Sequence, residues 1–96
     1  MAYKVKLSSN SIKVLKKIKN RQLKQKFIDK IYNDIAITPY SGTAKKGDLV
    51  GIYAVGFNYA KVSYRIAYKI DQDEVIVIIL LIGSHENFYQ KLKNLI

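Results

Sequence analysis

The chain has no cysteine, which excludes disulfides and thiolate metal sites and makes a reducing, cytoplasmic setting the expected one. It has one proline, Pro39, and no low-complexity tract, repeat or linker. With an apolar fraction of 49%, this composition belongs to a globular chain and not a disordered one. The start, MAYKVKLSSN, lacks the apolar stretch of a secretory signal. The longest aliphatic run, Val75 to Ile82, is far below the roughly 20 residues of a membrane-spanning helix. At 96 residues the whole chain, 1–96, is expected to form a single domain around one core.

Acidic residues are also scarce: seven Asp and Glu face seventeen Lys and Arg, a formal charge of +10. The excess is one-sided. Residues 1–46 hold twelve basic and two acidic side chains, whereas residues 47–96 hold five of each. A field of that size favours polyanionic partners and steers them inward.

Local patterns give the elements. Tyr3, Val5 and Leu7 alternate with Lys4 and Lys6 as in a short strand. Ser8, Ser9, Asn10 and Ser11 supply helix caps, and Ile12, Leu15 and Ile18 recur at helical spacing. Asn20 breaks that helix. A longer one resumes with Leu23, Phe27, Ile31 and Ile35 on one face and Lys24, Lys26 and Lys30 on the other. It ends near Thr38, because the residue before a proline is pushed out of the helical region. A loop over 38–48 leads to strands predicted over 49–57, 61–70 and 74–82, with turns at 58–60 and 71–73. Connections this short join antiparallel neighbours. A terminal helix is predicted over 85–95 with Ser84 as its cap. The predicted fold is α+β, in the order β-α-α-β-β-β-α. Its four-stranded, mainly antiparallel sheet carries a helical hairpin on one face, and the other face is partly open.

The element order, the GDL…G segment after a basic loop, the strand Tyr64-Arg65-Ile66-Ala67-Tyr68 and the run IGSHENFY from Ile82 to Tyr89 together resemble the RelE/ParE toxins of bacterial type II toxin–antitoxin systems. The resemblance spans nearly the whole chain. It implies one of two activities: metal-independent cleavage of mRNA on the ribosome, as in RelE-type members, or binding to DNA gyrase without nuclease chemistry, as in ParE-type members. It also implies a cognate antitoxin partner and no cofactor.

RNA cleavage without a metal uses the 2′-hydroxyl as nucleophile. It needs a base for the 2′ proton, charge stabilisation at phosphorus and an acid for the leaving 5′ oxygen. Arg65, one of two arginines, is mid-strand and offers a planar fork to phosphate oxygens. The resemblance places the family's strand arginine there too. Its alternative is an ion pair with Asp73 or Glu74. His85, the only histidine, belongs to the side-chain type that exchanges protons near neutrality, and Glu86 beside it is a second proton acceptor. Both equally fit the first turn of a helix. Tyr89 matches the family's C-terminal tyrosine. It suits stacking on a base, with Phe88 turned to the core. Lys45, Lys46 and Lys61 are the expected RNA-binding cations. The predicted strand 49–57 carries no lysine at all, unlike the ribosome-dependent members, and this keeps open the gyrase-binding alternative and a third one, an inactive, basic RNA-binding member of the family.

Overall fold

The computed structural model describes residues 2–95. Its elements are β1 (Lys4–Leu7), α1 (Ser9–Lys17), α2 (Arg21–Asp29), β2 (Thr43–Ala44), β3 (Ile52–Tyr59), β4 (Val62–Asp71), β5 (Ile76–Ser84) and α3 (Phe88–Leu95). No helix among the described residues is long and apolar enough to cross a membrane.

Capping sets the helical hairpin. The Ser8 hydroxyl accepts from the Ser11 N–H, and the Asn20 side chain accepts from the N–H groups of Gln22 and Leu23. Asn20 therefore starts the second helix, but it does not end the first, which stops at Lys17 with Ile18 as its extended C-cap. A wider, π-type turn over Lys30–Ile35 prolongs α2, and the chain leaves helical geometry at Thr38, before Pro39, as predicted. Phe27, Ile31 and Ile35 are buried against Ile66, Tyr68, Val77, Ile79 and Ile82 of the sheet. This is the larger core.

The sheet differs from the prediction. It has five strands in the order β1-β5-β4-β3-β2. β1 runs parallel to β5, from Lys4 beside Ile76 to Leu7 beside Ile79, so the sheet is mixed. The fifth strand is β2, whose Thr43 and Ala44 lie opposite Ala54 and Tyr53. Two residues carry no periodic signal, so this strand read as loop. The predicted strand 49–57 starts late, at Ile52, because Gly47–Leu49 form a tight 3₁₀ turn and Gly47 and Gly51 take positive φ. The turn predicted over 58–60 is instead Ala60-Lys61, both at positive φ between the paired Tyr59 and Val62, as a two-residue hairpin of matched twist requires. The next turn extends to Val75, also at positive φ.

The second face of the sheet is only partly open. α3 lies on it and buries Phe88 and Leu92 with Leu49, Ile52, Ala67 and Leu81. Alternation divides β4 between the two faces: Ile66 and Tyr68 belong to the hairpin core, Ala67 to the α3 core. Arg65 therefore shares the α3 side, beyond the area that α3 covers.

Candidate active-site cleft

Arg65 lies mid-strand between Gly56 of β3 and Gly83 of β5. With glycine on both sides, no neighbouring side chain lifts it off the sheet. Its guanidinium spreads over Gly56. A Cβ at that position would collide with Arg65 Nη1 and come within 3.4 Å of its Cζ. The expected alternative, a pair with Asp73 or Glu74, does not form. Those residues sit in the turn at the other end of β4, and the salt bridge among the described residues is Lys30–Asp34. Arg65 is half-buried, and among the described residues its guanidinium forms no ion pair.

Two predicted residues join it. Lys45 follows β2 and is held by its backbone N–H donating to Ile52 O at 2.9 Å. Tyr89 is the second residue of α3. Phe88 before it is buried, as predicted, and meets Tyr89 edge-on at 5.3 Å between ring centroids. Lys45 Nζ sits 4.5 Å from the centre of the Tyr89 ring, an attraction between cation and ring face. Arg65, Lys45, Tyr89, Thr43, Ala54 and Gly56 line one cleft of about 290 Å³. Thr43 and Gly56 were missed from sequence. Thr43 gives no signal. Gly56 does, since a lone glycine within a strand often marks a close approach.

The remaining predicted residues, His85, Glu86, Lys46 and Lys61, do not line this cleft. The expected helix start is wrong: Ser84 is the last residue of β5, His85 to Asn87 form an exposed turn with Asn87 at positive φ, and α3 begins at Phe88. His85 is tied to β4 by its N–H donating to Ser63 O at 2.8 Å, with Nδ1 3.4 Å from the same oxygen. This continues the ladder that sets Gly83 opposite Arg65. By this register the His85 backbone falls diagonally from Arg65, a relation of roughly 7–8 Å, one position past the end of β5. Glu86 is exposed in the turn. Lys46 is exposed beside Lys45, and Lys61 stands at the hairpin tip. At that same end Tyr59 bonds to Asn20 and Gln22, so the turn between α1 and α2, with Lys19 in it and Lys17 and Arg21 beside it, adjoins the tip. Among the described residues no cluster of His, Asp and Glu could hold a metal ion.

A small mixed sheet with a capped helical hairpin on one face, and a cationic cleft beside a short C-terminal helix on the other, defines the class. The chain belongs to the ParE-like toxins of type II bacterial toxin–antitoxin systems, whose family model matches residues 5–93. Its fold is similar to the toxin–antitoxin complex RelBE2 of Mycobacterium tuberculosis, with TM-score 0.77 at 20% identity over 88% of this chain and 100% of that one. It is also similar to an arginine-to-alanine double mutant of the E. coli toxin RelE in the free state, with TM-score 0.77 at 16% identity over 99% and 94%. The intact E. coli RelBE complex gives TM-score 0.71 at 17% identity over 85% and 95%. No match was found among curated proteins.

Proposed function

We propose that this toxin is a metal-independent endoribonuclease that cuts mRNA on the ribosome. One observation carries the reading: Arg65, without an acidic partner, lies flat over Gly56 and shares a cleft with Lys45 and Tyr89. In the proposed reaction the 2′-oxygen attacks the adjacent phosphorus and the 5′-oxygen leaves. The products are a 2′,3′-cyclic phosphate and a 5′-hydroxyl. Arg65 faces the non-bridging oxygens, whose negative charge grows in the transition state. Lys45 adds a second cation. Tyr89 offers its ring to a base. His85, with Glu86, takes the 2′ proton or returns one to the leaving oxygen. Lys46, Lys61 and the lysines of the helical hairpin hold the RNA backbone. By analogy with the RelBE complexes, a cognate antitoxin silences the protein.

The experiment is induction in a bacterium with mRNA ends mapped on ribosomes. Ends phased to codons are expected. Arg65→Ala and His85→Ala should each relieve growth arrest while melting near the parent temperature. Full toxicity of the double variant would remove this site from the mechanism.

A second reading has its own support, since β3, Ile52–Tyr59, carries no basic residue. It is gyrase binding without nuclease chemistry. Intact mRNA together with induced DNA damage would establish it in place of the first.

A further inference from the structure

The end of the helical hairpin departs from ordinary helix chemistry in two ways. Over Lys30–Ile35 the chain widens into a π turn, and the Ala36 N–H donates to Ile31 O, five residues back, at 2.9 Å. Neither proline nor glycine forces it, for the segment reads KIYNDI. Asp34 stands in the same turn, at the end of the helix, where free carbonyls disfavour a carboxylate. Its ion partner Lys30 precedes it by four residues, the less stabilising order of such a pair. Departures of this kind concentrate where a site uses them.

Both features border one cavity. It measures about 310 Å³ and is lined by Lys26, Asp29, Lys30, Asn33, Asp34 and Phe57, a size at the lower end of small-ligand sites. Ile31 and Ile35 of the same turn are buried in the larger core and hold this wall in place. Phe57 is half-buried. Phe27 meets its ring edge-on at 4.9 Å and Tyr64 stacks on it at 5.6 Å between centroids. Asp29 is partly engaged, its Oδ1 accepting from Gln25 Nε2 at 2.8 Å. Lys26 Nζ lies 5.9 Å from the centre of the Tyr59 ring and has no carboxylate partner among the described residues. Gly56 and Phe57 are adjacent in β3 and face opposite sides of the sheet. The cavity is therefore separate from the Arg65 cleft, and the two share no lining residue.

The chemistry of the lining selects a ligand. Lys30 Nζ and Asp34 Oδ2 lie 2.8 Å apart, which sets a charged donor beside a charged acceptor. Guanine carries the complementary edge: the O6 acceptor next to the N1–H and N2–H donors. O6 suits the ammonium and the two N–H groups suit the carboxylate, all as charge-assisted bonds. Uracil puts a carbonyl where guanine has its amino group. Adenine and cytosine put a ring-nitrogen acceptor where guanine has N1–H. Phe57 offers the base an aromatic surface, and Lys26 suits a phosphate.

We propose that this cavity is a guanine-nucleotide site, in which Asp34 accepts N1–H and N2–H, Lys30 donates to O6, Phe57 packs against the base and Lys26 faces the phosphate. A free nucleotide and a base of an RNA strand present the same chemistry to it. Binding stands independently of the nuclease reading, whereas a base preference near the cut rests on that reading.

The test titrates the full chain with the monophosphates of guanosine, inosine, adenosine, uridine and cytidine and follows the amide resonances. The guanosine nucleotide should saturably shift Asn33, Asp34 and Phe57. It should bind at least about tenfold tighter than the inosine nucleotide, which lacks only the amino group and so one hydrogen bond to a carboxylate. Asp34→Asn sets an amide N–H against that amino group and should remove the difference between the two. Lys30→Met should weaken both. Equal affinity for the guanosine, inosine and adenosine nucleotides overturns the proposal. So do shifts confined to the lysines of α1, the mark of phosphate binding alone. Both comparisons use the parent chain and decide the matter even if the variants do not fold. Mapped mRNA ends separate the two sources of the base. Guanine enriched at one fixed offset from the cut, and lost in Asp34→Asn, assigns it to RNA. Guanine discrimination without such an offset assigns it to a free nucleotide. The two readings fail separately. Guanine discrimination with normal mRNA cleavage by Arg65→Ala would leave this site standing and remove the nuclease site. Loss of cleavage in Arg65→Ala with no guanine discrimination would do the reverse.

Discussion

Alanine at position 56 perturbs the cleft without touching any charged group. The added methyl would overlap Arg65 Nη1 and lie 3.0 Å from the Tyr64 carbonyl oxygen. The carbonyl belongs to the β4 backbone and is fixed, whereas the guanidinium ends a flexible side chain, so Arg65 moves. Normal van der Waals separation requires a shift of about 1–2 Å. Retreat of one unit charge from about 4 Å to about 6 Å, at an effective dielectric near 20, loses about 1.4 kcal/mol per phosphate charge. That is about tenfold in rate for each unit of charge faced. Gly56→Ala should therefore slow single-turnover cleavage of ribosome-bound mRNA by about 10–100-fold if Arg65 serves the phosphate. Arg65→Ala should lose at least about 100–1,000-fold, the usual cost of one transition-state donor. Stability should hardly change. Alanine recovers about 0.5–1 kcal/mol of backbone entropy in a strand, and the close carbonyl contact offsets a similar amount, leaving the melting temperature within roughly 5 °C. Cleavage at the parental rate by a folded Gly56→Ala protein would refute the assignment of Arg65's position to this glycine. A rate loss accompanied by unfolding would assign the effect to the fold instead.

α3 has eight residues, too few to hold helical form without docking. Leu92→Ala, at a site with 0% exposure, should cost about 2–5 kcal/mol. It should release α3 amides to exchange before those of β4, and unchanged α3 protection would contradict the docking role. Tyr68→Phe leaves the buried Pro39 carbonyl unpaired and should cost about 1–2 kcal/mol in thermal or urea unfolding. Burial pushes the Tyr68 phenol up to about 12 from the usual 10.0. Because the folded state holds this proton more tightly than the unfolded chain, its contribution is complete below about pH 10 and is lost as pH rises toward about pH 12. Urea midpoints near about pH 9 and about pH 11 should differ less in Tyr68→Phe than in the parent, and an identical difference would show that another group carries the alkaline loss.

The helical hairpin was readable because its signals are local: steps of four from Leu23 to Ile35, Asn20 as a cap, Thr38 before Pro39. Phe88 and Tyr89 were separable because an amphipathic helix has one inward position per turn. What was missed depends on partners elsewhere in the chain. Thr43 and Ala44 are a strand only because Ala54 and Tyr53 lie beside them. Gly83 and Ser84 have no strand-like side chains, and the ladder with Arg65 and Tyr64 extends β5 through them. That extension displaces the start of α3 to Phe88, with asparagine, which tolerates positive φ, at the hinge position 87. Arg65 stood out as a lone strand arginine. Its meeting with Lys45, twenty positions away, was not visible in any local pattern.

The uncharged β3 strand takes on a different meaning in this geometry. Its positions on the α3 side are Ile52, Ala54, Gly56 and Asn58, of which Ile52 is buried in the smaller core and the next two carry a methyl group or nothing. A lysine at 54 or 56 would occupy the space over which the guanidinium lies, and its like charge would repel Arg65 and Lys45. The cleft draws its cations from β4 and from the end of β2, on either side of β3, while β3 supplies the floor. The absence of lysine on this strand therefore does not count against phosphate binding at Arg65. Position 56 must stay small for the guanidinium to lie flat, so the bare floor of β3 is a requirement of the cleft.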